Sequence, residues 1–277
     1  MEARVRGELQ ELVRLWATAA KLTDSAADSP AKVLGVLTRL EQKVNKARTE
    51  RWLDGLENWI LEKKGAVEQK LRQLADAFGW ELDSELKSHG LSLSGQYPDL
   101  KCWLLTLSVD FQGSKVTLWY GPKVYLLASV PATVSIVAKK ILEIKHSLGS
   151  GLTPEELIGR IYNAYRRYLV TTDKQQGASI PIMDVLPLVS YEIQNRRFFR
   201  DPKPSHFKTY TKADFGYDLC RLREAGTLTV QGWKLKLVTA TIGQAERPGQ
   251  TLWVPNSTHG PVDGTVYSHL AFGEAGS

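Results

Sequence analysis

The sequence has little cysteine, with two residues of this type at Cys102 and Cys220, far apart in the chain. The familiar zinc and redox motifs need cysteines at short spacing, so the sequence excludes both kinds of site. Five histidines are scattered without the spacing of metal ligands. We therefore expect no metal and no cofactor, and we expect a cytoplasmic protein.

Long apolar runs are also missing. The most apolar stretches, around Leu118–Val130 and Ile180–Val189, are interrupted by prolines and charged residues. They fall short of the roughly 18 continuous apolar residues that a membrane span needs. The first twenty residues mix glutamate with arginine and contain no small-residue cleavage site, so we expect neither a membrane helix nor a secretory signal.

Motifs for nucleotide chemistry are absent as well. The sequence contains no phosphate-binding P-loop and no Gly-x-Gly-x-x-Gly after a strand. Near the end, His259, Asp263, Ser268 and His269 offer the residue types of a hydrolase triad, but no nucleophile elbow accompanies them. Glycines and a proline in the same segment predict turns instead. We therefore expect no catalytic residue and a protein that is not an enzyme.

One enzymatic alternative stays open. Asp99 and Asp110, with Lys115, faintly resemble the carboxylates and lysine of metal-dependent nucleases, which hold Mg²⁺ between two acids. The spacing is poor, because Lys115 follows Asp110 across a hairpin turn rather than along one strand. A nuclease is therefore the competing hypothesis.

What the sequence does contain is typical of a folded protein of two or three domains. It has 277 residues, of which 43% are hydrophobic and 24% charged, with a formal charge of +6. The segment 157–223 holds twelve Lys and Arg against six Asp and Glu, an excess equal to that of the whole chain. The basic character is therefore regional, and it permits binding to nucleic acid.

Residues 1–88 are rich in helix formers and form the first predicted part. Apolar residues recur at three- and four-residue intervals through a long amphipathic pattern, with a bend expected near Gly55 or Gly65. The pattern indicates a helical, partly coiled-coil arm. Either a protein partner or a second copy docks on it, or the arm folds on its own helices. The candidate partner-binding residues are Leu34, Leu37, Leu40 and Val44.

Residues 91–149 predict a small β-hairpin-plus-helix module. Trp103–Val109 and Val116–Tyr120 are rich in β-branched and aromatic residues, and a turn signal separates them. Val124–Ala128 adds a possible third strand, and a helix opens at Pro131. The predicted fold class is accordingly α+β.

Residues 152–277 form the third predicted part. Thr153 and Thr211 each begin a helix, and Gly226 ends the second of these. A shorter apolar element, Pro181–Val189, lies between them, and strand signals follow over 227–254. The stretch from Asp214 to Gly226, which runs into this hairpin, resembles the winged helix-turn-helix domain over about residues 152–256.

That resemblance implies that the third helix, Lys212–Glu224, enters the DNA major groove. Tyr217 and Arg221 would then face DNA, whereas Asp214 and Glu224 argue against base reading, because carboxylates repel phosphates. Before this helix, basic residues alternate with Phe198, Phe199, His206, Phe207 and Tyr210, as suits backbone neutralisation with stacking. The basic candidates are Arg196, Arg197, Arg200, Lys203, Lys208 and Lys212.

These features predict a non-catalytic, DNA-associated subunit. Its partners would be double-stranded DNA, through the winged helix, and a protein on the helical arm. That protein would be a second copy or a coiled-coil ATPase of the chromosome-maintenance or phage-defence kind. Besides a nuclease, the alternative is a protein-docking scaffold that binds no DNA.

Overall fold

The computed structural model describes residues 2–24, 30–46, 54–247 and 249–275. Helices and antiparallel strands form an α+β fold, as the sequence predicts. No helix within these ranges is both long enough and apolar enough to cross a bilayer.

The helices and strands follow one another along the chain. The helices are α1 (Glu2–Asp24), α2 (Pro30–Lys46), α3 (Asp54–Lys87), α4 (Val134–Ser147), α5 (Pro154–Thr171), α6 (Ile182–Glu192), α7 (Arg196–Arg200), α8 (Lys212–Glu224) and α9 (Ile242–Ala245). The strands are β1 (Leu93–Gln96), β2 (Asp99–Cys102), β3 (Leu105–Asp110), β4 (Lys115–Tyr120), β5 (Tyr125–Pro131), β6 (Ile180–Pro181), β7 (Thr229–Val230), β8 (Trp233–Thr239), β9 (Leu252–Pro255) and β10 (Gly264–Glu274).

Two compact units make up the chain. The helical unit contains Met1–Gly90, Val109–Val116 and Ser129–Ala138, and the C-terminal unit contains the other residues. The sequence suggested three parts, at 1–88, 91–149 and 152–277. In the structure, the segment 91–149 contributes residues to both units.

In the helical unit, α2 packs against both α1 and α3. The apolar stripe predicted for partner binding supplies much of this core: Leu37 and Leu40 are fully buried, Val44 is nearly so, and Leu34 packs at the edge. Lys64 on α3 forms a 2.7 Å ion pair with Glu41 on α2. The stripe therefore faces the other helices of the same unit, because that contact removes its apolar surface from water.

Helix α3 runs without interruption through Gly65, where the sequence suggested a bend. Ala47 and Leu53, which belong to the same predicted pattern, lie outside the described residues. In its second half, α3 buries Phe78, whose ring meets that of Phe111 edge-on at 5.7 Å. The buried face of α3 thus continues beyond the three-helix core.

The first sheet is a five-stranded meander in the order β1 to β5. Its second and third strands pair Asp99 with Ser108 and Cys102 with Leu105. The side chain of Thr106 donates a 2.8 Å hydrogen bond to the carbonyl of Gly121, which holds the turn after β4 against β3. Val124–Ala128, a possible strand in the sequence, is largely β5.

The second sheet has the order β6-β10-β8-β7, and β9 pairs with the first part of β10. Strand β10 is therefore central, although its residues lie beyond the 152–256 resemblance and its first part, 264–269, falls in a segment predicted to form turns. A bulge between Tyr267 and His269 breaks the register with β8, which obscures the strand periodicity in the sequence. Leu270 and Phe272 then face the core, fully buried.

Both predicted helix starts are capping boxes. The Thr153 hydroxyl accepts the Glu156 amide, and the Glu156 carboxylate accepts the Thr153 amide. Thr211 and Asp214 make the same reciprocal pair at the start of α8. Each box satisfies backbone donors that a helix N-terminus leaves free, which fixes where α5 and α8 begin.

Candidate nucleic-acid interface

Helix α8 occupies the position of the DNA-reading helix in the winged-helix resemblance. Most of its surface is covered in this structure: Ala213, Gly216 and Asp218 are buried as well as the apolar residues Phe215 and Leu219. A Cβ added at Gly216 would lie 2.4 Å from the carbonyl oxygen of Trp253. Glycine is thus required where β9 crosses the helix.

The segment after β9 continues along the same side of α8. The Arg223 guanidinium donates to the carbonyls of Pro255 and Asn256, and Thr258 donates to the carboxylate of Glu224. Burial alone would raise the pKa of Glu224, but the hydrogen bonds from Thr258 and Ser257, together with the charge of His259, lower that pKa overall. The chain itself therefore covers the side of α8 that carries Gly216 and Arg223, and it binds the exposed Glu224 at the end of the helix.

The two predicted DNA-contacting residues of α8 also make internal contacts. Arg221 donates to Asp218 at 2.9 Å and to the Leu152 carbonyl at 3.0 Å. Tyr217 is half-buried, and its ring meets Trp103 edge-on at 5.9 Å. Arg221 and Lys208 therefore bind two carbonyls of one segment, those of Leu152 and Ser150, and both cationic groups are engaged in internal contacts.

A buried carboxylate explains why Arg221 points inward. Asp218 is fully buried and accepts hydrogen bonds from the Ser150 amide and the Tyr210 hydroxyl as well as from Arg221. Burial, together with the negative charge of Asp218, raises the pKa of Tyr210 well above its usual value. This network fixes the segment before α5 to α8, because a buried charge is tolerated only when several donors satisfy it.

The loop between α6 and α8 is closed by a second buried polar group. The Gln194 side chain donates to the Ser190 carbonyl at 2.6 Å and to the Lys208 carbonyl at 2.9 Å. Its oxygen accepts the Lys208 amide at 2.8 Å. The Gln194 side-chain amide thus pairs with the backbone of Lys208 as a second peptide group would. It thereby holds the two ends of the loop together.

Four aromatic rings form a continuous ladder on this loop and the end of α6. Tyr191 contacts Phe199, Phe199 contacts Phe198, and Phe198 contacts Phe207, with ring centroids 5.1, 5.7 and 5.6 Å apart. Each contact is edge-to-face, the arrangement that aromatic rings prefer. Tyr191, Phe199 and Phe207 are nonetheless 43, 47 and 44% exposed. We refer to residues 191–207 as the aromatic–arginine segment.

Three arginines lie on helix α7, in the middle of this segment. Arg196, Arg197 and Arg200 are all exposed, and none of them forms an ion pair with a described residue. Asn195 caps the helix by accepting the Phe198 amide at 3.0 Å. Short as it is, α7 therefore places three free guanidinium groups beside the exposed rings.

The other basic candidates are bound elsewhere. Lys203 pairs with Asp201 at 2.7 Å, and the Lys208 ammonium donates to the Ser150 carbonyl. The Lys212 ammonium lies over the ring of Tyr125, 5.8 Å from its centre. Of the predicted basic residues before α8, the structure thus leaves the three arginines of α7 best placed for a ligand.

One residue of this surface, Arg167, could not be identified from the sequence. Arg167 on α5 lies 4.8 Å over the ring of Tyr191 and pairs with Glu192 at 3.1 Å. No local signal predicts this contact, because it joins two helices, α5 and α6, whose packing is not visible in the spacing of their residues. Arg167 thus holds the ring of Tyr191 in place at the end of the ladder.

The carboxylates of the nuclease hypothesis have structural roles. Asp99 accepts from Lys123 and from Ser108, and the Lys123 hydrogen bond lowers the pKa of Asp99 despite partial burial. Asp110 accepts the Gly113 amide in the turn between β3 and β4. Over the part of the chain that the structure describes, no three His, Cys, Asp or Glu side chains come together as metal ligands.

Comparison with known proteins gives no relative: no family model, no curated protein and no solved structure matches the chain.

Proposed function

We propose that this protein is a non-catalytic, DNA-associated subunit and that its C-terminal unit binds DNA phosphates through the aromatic–arginine segment. The observation that carries the proposal is the group of three exposed arginines, Arg196, Arg197 and Arg200, without ion pairs to described residues. Three like charges on five residues repel one another, and a polyanion would relieve that repulsion.

The order of elements supports a winged-helix origin for this unit. Helices α5, α6 and α8 are followed by β7 and β8, which pair as a hairpin. Gln231 and Gly232 form the turn, both with positive φ. This is the order on which the resemblance rests. The coverage of α8 favours contact through the loop before it, because a reading helix must present free side chains to the groove.

Arginine suits a phosphate-binding role better than lysine would. Its planar guanidinium can donate two parallel hydrogen bonds to one phosphate, and it keeps its charge at any physiological pH. Gln194 closes the loop on which these residues lie, so the arginines start from a restrained position. Less conformational freedom is then lost on binding.

The test is the salt dependence of DNA affinity. Fluorescence anisotropy with a labelled 20-base-pair duplex, from about 50 to 200 mM salt, should give a log–log slope near −3 to −5, at about −0.9 per phosphate contact. Replacing Arg196, Arg197 and Arg200 with alanine should flatten that slope by up to about three contacts. Sequence changes in the duplex should matter little.

A matched control removes the same charge from the helical unit. Lys32, Arg39 and Arg72 are exposed on α2 and α3, and their replacement with alanine should leave the slope unchanged. If the parent protein shows no salt-dependent affinity for DNA, the proposal fails and the C-terminal unit is better regarded as a protein-docking module. Equal losses in both triple variants would indicate a nonspecific effect of net charge.

For the helical unit, we propose a protein partner, either a second copy or a coiled-coil ATPase as suggested above. Leu37, Leu40 and Val44 fill the unit's own core, so the partner must use other residues. Val13 and Trp16, three residues apart on α1, are 58 and 44% exposed. Light scattering of Val13→Ser/Trp16→Ser against the parent protein would test self-association, and a pull-down from the host would test another partner.

A further inference from the structure

We propose that the aromatic–arginine segment binds unpaired bases, so that it prefers single-stranded nucleic acid to duplex DNA. This inference rests on the proposed function and specifies its ligand. Phosphate contacts alone would not distinguish a single strand from a duplex, because both carry the same groups. The distinction comes from the rings of Phe199 and Phe207.

Large exposed aromatic rings are costly in water, and here they lie on one ladder instead of being scattered. Phe199 and Phe207 keep nearly half of their surface exposed, whereas Phe198 between them is more buried. The contacts of Phe198 with both neighbours hold the two exposed rings in place. Rigid, exposed rings beside cations are the features with which proteins stack single-stranded bases.

The spacing of the rings also favours a single strand. Neighbouring ring centroids are 5.1 to 5.7 Å apart, and the ring planes are nearly perpendicular, at 62 to 73°. Bases in a duplex are stacked about 3.4 Å apart with parallel planes. Two bases that stack on the neighbouring exposed rings of Tyr191 and Phe199 must therefore separate and turn, which a flexible strand can do and a base-paired duplex cannot.

The arginines of α7 lie where the backbone of such a strand would pass. Arg196, Arg197 and Arg200 share a five-residue helix with Phe198 and Phe199, so charges and rings alternate over a short distance. Arg167 over Tyr191 adds a guanidinium plane at the end of the ladder. A strand can thus place bases on rings and phosphates on arginines at the same time.

The experiment compares labelled dT20, U20 and a 20-base-pair duplex by anisotropy, with the full chain at two salt concentrations. We expect dT20 or U20 to bind at least tenfold more tightly than the duplex, and the ratio of the two shows whether DNA or RNA is preferred. The variant Phe199→Leu/Phe207→Leu keeps the apolar surface but removes the π faces. It should weaken single-strand binding about tenfold per ring, with the salt slope unchanged.

A control variant, Trp80→Leu, removes an aromatic ring that is 74% exposed on α3, and it should bind all three ligands as the parent does. Circular dichroism checks that each variant is folded. Equal or tighter binding of the duplex by the parent, or full single-strand binding by the leucine variant, would overturn this inference and leave the proposed function standing. If none of the three ligands binds in a salt-dependent way, both this inference and the proposed function are wrong.

Discussion

The Tyr210 hydroxyl donates a 2.8 Å hydrogen bond to the fully buried carboxylate of Asp218. This bond lies at the centre of the contact between α8 and the segment that precedes α5. Its loss should therefore lower the stability of the protein. A contrasting tyrosine is found nearby. Tyr120 is also fully buried, but its hydroxyl has no hydrogen-bond partner among the described residues.

Tyr210→Phe should therefore destabilise the protein by about 1.5 to 3 kcal/mol, because a buried carboxylate loses one of its donors. Tyr120→Phe removes an unsatisfied hydroxyl of the same kind and should leave stability unchanged or raise it slightly. Urea denaturation followed by circular dichroism measures both. Equal effects of the two changes would show that the Asp218 network does not contribute to stability as described.

The cover over α8 can be tested at Gly216. Gly216→Ala should cost more than about 2 kcal/mol, because its Cβ would lie 2.4 Å from the backbone carbonyl of Trp253 and β9 would have to move. Gly159→Ala, on α5, meets nothing within 4 Å and should stabilise the protein by about 0.5 to 1 kcal/mol through helix propensity. Thermal unfolding of the pair is the measurement. Tolerance of alanine at both positions would mean that β9 leaves α8 open in solution.

The buried face of α2 should be far more sensitive than the exposed face of α3. Leu40→Ala should destabilise the helical unit by about 2 to 5 kcal/mol, because it opens a cavity at a fully buried site. Leu61→Ala truncates a leucine that is 60% exposed and should stay within about 0.5 kcal/mol of the parent. Helical circular dichroism during urea unfolding reports both. If Leu40→Ala were neutral and prevented assembly instead, α2 would be a partner-binding surface.

The ion pair between Asp99 and Lys123 predicts a pH dependence. The pKa of Asp99 is lowered in the folded state, so the pair stabilises the protein above the ordinary carboxyl pKa and loses this effect as pH falls through the folded value. Because both side chains are partly exposed, Lys123→Gln should cost no more than about 1 kcal/mol at pH 7. The difference from the parent should disappear once the pH falls below the lowered pKa of Asp99 in the folded state.

An NMR titration of the Asp99 carboxyl provides an independent check of the same pair. In Lys123→Gln its pKa should rise toward the ordinary value, held partly by the remaining hydrogen bond from Ser108. A pKa that did not change would assign the lowering to another group.

Local signals in the sequence predicted the helix starts well. Thr153 and Thr211 were identified from spacing alone, because a capping box is complete within four residues. The alternation of arginines and phenylalanines over 196–207 was equally visible. These features depend on neighbours in the chain, which a sequence displays directly.

Contacts over longer distances were not predictable in the same way. The burial of α8 depends on Trp253 and Thr258, and nothing in the spacing of the helix indicates that β9 will cover it. Strand β10 was missed because a bulge interrupts its period and a turn-rich stretch precedes it. The sequence therefore predicts the basic loop, but the free surface that it also predicts on α8 is covered by segments that lie far away along the chain.

The Gln194 amide affects how freely the sequence of the loop between α6 and α8 can change. Because one side chain closes the loop through Ser190 and Lys208, closure does not depend on which residues lie between them. Doubling the length of such a loop costs only about 0.6 kcal/mol in closure entropy. Insertions and substitutions within 195–207 can therefore alter what the loop recognises while the helices on either side keep their packing.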